Sequence, residues 1–151
     1  MTADVTRRYV DTAFVLKCYV FEVGSESVRA LASDTDELIT SALARAEFAA
    51  AVHCKRRENA LTLPEADAVA AQFAADCADG IWTFIPINDV ALQRVSVAFA
   101  SLRTSTALRA ADAIHCASAV ECGVNHIYSN DRHLLGAASD FKLLGIDVTA
   151  T

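Results

Sequence analysis

The sequence predicts an α/β protein, a three-layer α/β/α sandwich around a short, mostly parallel sheet of about five strands. Three observations carry that reading. Short apolar runs alternate with helical patterns along the chain, which favours parallel pairing with helices on both faces. Gly and Pro number only 5 and 2 against a hydrophobic fraction of 54%, the composition of a packed chain rather than a disordered one. No linker, repeat or low-complexity tract interrupts the pattern, and 151 residues is the length of one domain, spanning 1–151. A domain of that size buries roughly 68–70% of its unfolded surface and needs neither disulfide nor metal to fold.

The elements follow in order. "RRYVDTAF" opens with a short buried strand near residues 8–11, running into the apolar helix "AFVLKCYVFE", which Gly24 breaks. "SESVRALAS" is a second short helix, with Ser25 or Ser27 as its cap. "DELITS" is a strand. "SALARAEFAAAVHCKRREN" is a long helix, apolar first and basic last, and Lys55, Arg56 and Arg57 suit the negative end of its dipole. "TLPE" places Thr62 as N-cap and Glu65 as its capping-box partner, with the helix reaching about Gly80. "IWTFIPI" is the next strand, and Asn88 caps the helix "DVALQRVSVAFASLR". An apolar helix at 109–122 follows, then the strand "HIYSN", the short helix "DRHLLGAA" and a last strand in "FKLLGIDVT".

Composition narrows the function. A net charge of −6 argues against a protein that coats nucleic acid electrostatically. It leaves room for an enzyme whose acids gather at one cation, because the bound charge reverses the local field. "MTADVTRRYV" lacks the apolar region of a secretory signal, and no apolar run approaches the roughly 18 residues of a membrane span. The 5 cysteines, Cys18, Cys54, Cys77, Cys116 and Cys122, are odd in number and lack a disulfide framework. They are expected to be mostly buried free thiols of a cytoplasmic protein. Cys116, Cys122 and His126 match no usual zinc spacing and read as packing. The apolar excess predicts that some apolar surface enters an interface.

Four acids stand where apolar or turn residues would be expected. Asp11 ends the first strand with Thr12 beside it, and Asp131 follows "IYSN" with Ser129 two residues earlier. Both fall at the carboxyl edge of a parallel sheet, where ligands bind. Glu47 lies in mid-helix beside Leu43, Ala44, Ala50 and Ala51, and Asp112 lies in an apolar helix one turn before His115. Taken singly, each has an ordinary explanation. Strand-end acids cap helices, Glu47 can face solvent, and Asp112 can pair with Arg109. Taken together, four buried acids would repel one another, and burying an isolated carboxylate costs several kcal/mol (roughly, after relaxation). A divalent cation removes both costs, and oxygen-only ligands favour Mg²⁺ or Mn²⁺ over zinc. His115 reads as a hydrogen-bonded core residue, since water activated by a metal needs no histidine base.

"YVDTAFVLKCYV", "ITSALARAEFAAAV", "RAADAIHCASAVECG" and "IYSNDRHLLGAA" resemble the successive motifs of PIN-domain ribonucleases, most closely VapC-type toxins of bacterial toxin–antitoxin pairs. The resemblance covers about residues 8–149. It implies an acidic site of Asp11, Glu47, Asp112 and Asp131, with Thr12 and Ser129 as supporting hydroxyls. It further implies a Mg²⁺- or Mn²⁺-dependent endoribonuclease that dimerises and is held inactive by a cognate antitoxin. Lys17, Arg45, Arg109, Arg132 and His133 neighbour the acids in sequence and are candidate RNA or antitoxin contacts. Phe14, Tyr19 and Phe21 are candidates for an antitoxin groove.

Two other classes compete. An aspartyl phosphatase would want a second Asp two residues after Asp11, where Ala13 stands. A receiver domain would want an acidic pair near the first strand and a Lys at the last, and neither is present. Within the resembled family, the alternatives are a ribonuclease that processes RNA outside toxin–antitoxin systems and a non-catalytic relative that binds only a partner.

Overall fold

In the computed structural model, which describes residues 3–150, strands and helices alternate as the pattern requires. Strands β1 (Arg7–Tyr9), β2 (Glu37–Ser41) and β3 (Trp82–Ile85) pair in parallel, in spatial order β1-β2-β3. Tyr9 lies opposite Ile39, and Ile39 opposite Thr83. Strands β4 (His126–Tyr128) and β5 (Leu144–Ile146) form a second parallel ladder. The expected continuous sheet is therefore a three-stranded and a two-stranded ladder, meeting at one isolated bridge between Val10 and Tyr128. The cause is local. Strands β1 and β4 are 3 residues long each, and the chain leaves them for helix N-caps at Asp11 and Asp131.

Helices α1 (Thr12–Tyr19), α2 (Ser25–Ser33), α3 (Leu43–Arg57) and α4 (Leu63–Ala78) precede β3. Helices α5 (Asp89–Ser101), α6 (Ala110–Glu121) and α7 (Arg132–Ala137) follow it, and a 3₁₀ turn, Ala138–Phe141, leads into β5. The capping box at Thr62 and Glu65 is formed, and Asn88 caps α5 through the Ala91 N–H. Two expectations fail between α1 and α2. Helix α1 stops at Tyr19, four residues short of the glycine, because Val20 turns extended at φ −112°. Neither Ser25 nor Ser27 caps α2. Gly24 occupies that position at φ +89°, and the buried Ser25 hydroxyl donates to the Val20 carbonyl while accepting from the Glu22 N–H.

Two apolar clusters flank the sheet. Tyr9, Ile39, Ala113, Ala117, Ile127 and Leu134 lie in one, and Val10, Phe14, Val15, Phe48, Phe73 and Trp82 in the other. Tyr9 and Val10 fall on opposite sides, as successive strand residues must. Ala113, Ala117 and Ala119 are fully buried, and their small side chains let α6 pack closely, which brings its first turn to the sheet edge.

Other expectations need correction. Of the free cysteines only Cys116 is buried. Cys18, Cys77 and Cys122 are half-buried and Cys54 is exposed, because the helices carrying them also face solvent. Phe14 is core and Tyr19 packs edge-on against Phe48 and Phe73 and tilted against Trp82, so of the three aromatics proposed for a groove only Phe21 is exposed. Among the described residues no helix is long and apolar enough to cross a membrane.

Candidate active site

Asp11 follows the bridge residue Val10 and caps α1, its Oδ1 accepting from the Phe14 N–H at 3.0 Å and its Oδ2 from the Ser129 hydroxyl. It is only 4% exposed. Burial pushes its carboxyl above the usual range. The nearby His115 and the two hydrogen bonds pull it back, and the charge of Asp112 adds to the rise.

Ser129 ties the first acid to the last. The same Oγ that donates to Asp11 accepts the Asp131 N–H at 2.9 Å. Asp131 in turn caps α7, its Oδ1 accepting from the N–H groups of His133 and Leu134 at 2.8 and 3.1 Å. Capping thus fixes both strand-end acids, the ordinary explanation weighed for them.

Asp112 lies in the first turn of α6 and is buried. Among the described residues its hydrogen-bond partner is Arg109, with Nε 3.1 Å from Oδ2. The same guanidinium reaches Asp131 Oδ2 through Nη2 at 3.2 Å. Glu47 approaches from α3 and is half-buried. Its Oε1 accepts from the Thr12 hydroxyl at 2.7 Å and from His115 Nε2 at 2.6 Å. Burial raises the Glu47 carboxyl, but the bonds and charge of His115, with the Thr12 bond, outweigh it and hold it below the ordinary value.

The structure thus links Asp11, Asp112 and Asp131 through Ser129 and Arg109. Glu47 belongs to a second network, with Thr12, His115 and Tyr9, and among the described residues no hydrogen bond connects that network to the other three acids. Among the described residues no three His, Cys, Asp or Glu groups converge closely enough to form a ready-made cation cage. The donor set nevertheless fits a hard ion. Mg²⁺ is usually held by one or two carboxylates and keeps several waters, and Asp11 and Asp112 are two buried oxygen donors, the charge of Asp112 adding to the rise of the Asp11 carboxyl.

The basic candidates separate. Lys17 is buried and pairs with Glu22 at 2.7 Å, which also takes Lys55 at 2.6 Å, so its charge is committed inside the fold. Arg45 lies over the Phe84 ring at 4.3 Å, beside a cleft against α4. Arg132 and His133 line a cleft of about 270 Å³ with Arg103 and Thr106. His133 and Thr106 also line a second cleft, of about 510 Å³, that includes Arg109 and Asp131. Arg103, which no sequence spacing singles out, is brought to the first cleft by the fold, and the buried Tyr9 hydroxyl, equally unsignalled, lies 2.8 Å from His115 Nδ1.

Acids set at the carboxyl ends of parallel strands, with helices on both faces, define the class of this protein. Residues 8–139 match the family model of the PIN domain, and the chain belongs to that family. PIN domains are generally metal-dependent nucleases, so the chain is of a nuclease and hydrolase family. Compared with curated proteins, the chain has no match.

Proposed function

We propose that this chain, read over 1–151 as one PIN-like domain, is a Mg²⁺- or Mn²⁺-dependent endoribonuclease and the toxin of a toxin–antitoxin pair. One observation carries the catalytic reading. Asp11 and Asp112, from different elements, are both buried, and the charge of Asp112 adds to the burial that raises the Asp11 carboxyl. A fold gains nothing in stability from that pairing; a cation site does. Asp11 and Asp112 would hold the ion, with Glu47 and Asp131 completing its surroundings or orienting water. When bound, the ion supplies activated water and charge stabilisation for cleaving a phosphodiester.

This chain's own residues do the rest. Ser129 fixes the spacing of Asp11 and Asp131, and Thr12 fixes Glu47. Arg109, Arg132, His133 and Arg103 flank the acids along the two adjoining clefts, where a phosphate backbone needs cations. The basic track lies beside the acids, which reconciles RNA binding with a net charge of −6. The toxin role, the antitoxin, the homodimer and a cytoplasmic setting rest on the sequence motifs. Exposed Phe21, Val23, Val97 and Phe99 supply apolar surface for such partners.

The test is RNA cleavage by purified protein with Mg²⁺ or Mn²⁺, beside growth arrest on induction. Asp11→Asn and Asp112→Asn should each abolish both while the circular dichroism spectrum is kept. Full cleavage by folded Asp112→Asn would refute the assignment.

A further inference from the structure

His115 and Tyr9 are both buried, at 2% and 0% exposure. Tyr9 Oη lies 2.8 Å from His115 Nδ1, and His115 Nε2 lies 2.6 Å from Glu47 Oε1 and 3.2 Å from Thr12 Oγ1. A carboxylate only accepts, so the hydrogen-bond network assigns the proton to Nε2. The Tyr9 hydroxyl, able to donate or accept, satisfies Nδ1 in either charge state of the ring. The chain of bonds runs from β1, through α6, to α3. It ends on a carboxylate whose side chain is 31% exposed, on a helix whose neighbouring Ala50 is exposed.

A buried Tyr–His pair contributes less to a core than an apolar pair of the same shape would. Its one visible product is the orientation of Glu47. Without the Nε2 bond, only Thr12 restrains that side chain from turning to solvent. Tyr9 also ends β1 two residues before Asp11, so the same stretch of chain carries both the first acid and the far end of the restraint.

We infer that Tyr9 and His115 form a buried strut that positions Glu47 for the metal site, making both positioning residues rather than bases. The inference rests on the nuclease reading above. Outer partners of this kind hold ligand carboxylates in place, and their loss typically weakens metal binding or activity by about 10–100-fold.

Mn²⁺ binding, read from the free-ion electron paramagnetic resonance signal, and RNA cleavage are measured on the full chain. His115→Leu should weaken Mn²⁺ binding about 10-fold, and His115→Gln, which retains an N–H near Nε2, should restore most of it. Tyr9→Phe should weaken it about threefold, the scale of one neutral hydrogen bond. In a Glu47→Gln background all three changes should lose their effect on Mn²⁺. Folded His115→Leu with unchanged Mn²⁺ binding, or losses that persist equally in the Glu47→Gln background, would overturn the strut. If His115→Leu does not fold, Tyr9→Phe in the two backgrounds decides by the same criterion. Wild-type protein that neither binds Mn²⁺ nor cuts RNA would instead sink the underlying nuclease reading.

Discussion

Arg109 bridges Asp112 and Asp131, its Nε 3.1 Å from one carboxylate and its Nη2 3.2 Å from the other. The guanidinium side chain is 74% exposed, so solvent screening keeps the pair weak. It still competes with any cation for Asp112. Arg109→Gln should therefore tighten Mn²⁺ binding several-fold in the absence of RNA, measured by titration calorimetry. The same change should weaken RNA binding, measured in Ca²⁺, and flatten its salt dependence by about one counterion. Weaker Mn²⁺ binding would show that Arg109 organises the acids rather than competing for them.

Ser129 is the hinge of the strand-end acids, serving Asp11 and Asp131 with one oxygen. Ser129→Ala should leave the fold intact and lower cleavage about 10–100-fold. Ser129→Thr, which keeps the hydroxyl, should recover part of that loss. Equal rates for wild-type and alanine proteins would remove Ser129 from the site.

The pH dependence of stability separates two acids. The Asp11 carboxyl is raised above its unfolded value of 3.8, so the native state binds more protons than the unfolded state between the two values. Stability falls as pH rises through that window and stays lower above it. Glu47 runs the other way. Its carboxyl is held below 4.5, so its contribution is present above 4.5 and is lost as pH falls through the folded value. In EDTA near neutral pH, Asp11→Asn should raise Tm, because the buried charge that lowers stability there is removed. Calorimetry that found Asp11→Asn less stable than wild type at every pH would contradict this account.

Gly24 offers a test away from the acids. A Cβ there would lie 2.5 Å from Thr149 Cγ2, and the backbone sits at φ +89°. Gly24→Ala should destabilise the fold by more than about 1 kcal/mol, read from urea unfolding, with Mn²⁺ affinity unchanged. A neutral effect would mean that the turn relaxes freely.

Much of this was legible from residue patterns. The Thr62 box and the Asn88 cap could be read because capping depends on residues three apart. The acids at Asp11 and Asp131 could be read because strand ends sit at fixed places in a parallel sheet. The end of α1 could not. Val20 and Phe21 suit a helix as well as a strand, and the tertiary position of Ser25 decides the matter. The division into two ladders was equally hidden, since it depends on how soon each chain turns into its cap. Lys17 shows the limit of adjacency in sequence: it neighbours Asp11 but is spent on Glu22. His115 was rightly read as hydrogen-bonded core, yet its partners Tyr9 and Glu47 are 106 and 68 residues away, beyond any local pattern.

The single bridge between Val10 and Tyr128 has a consequence for cooperativity. At this seam between the ladders the Asp11 N–H donates to the Tyr128 carbonyl at 3.1 Å, and the Ser129 hydroxyl donates to the Asp11 carboxylate. Asp11 lies on one bank, and Ser129 and Asp131 on the other. Amide exchange at Asp11 should therefore report the parting of the two half-sheets, an opening smaller than global unfolding. Such an opening would silence the acids while leaving both ladders folded, so activity becomes a more sensitive gauge of the seam than any spectroscopic measure of helix or strand.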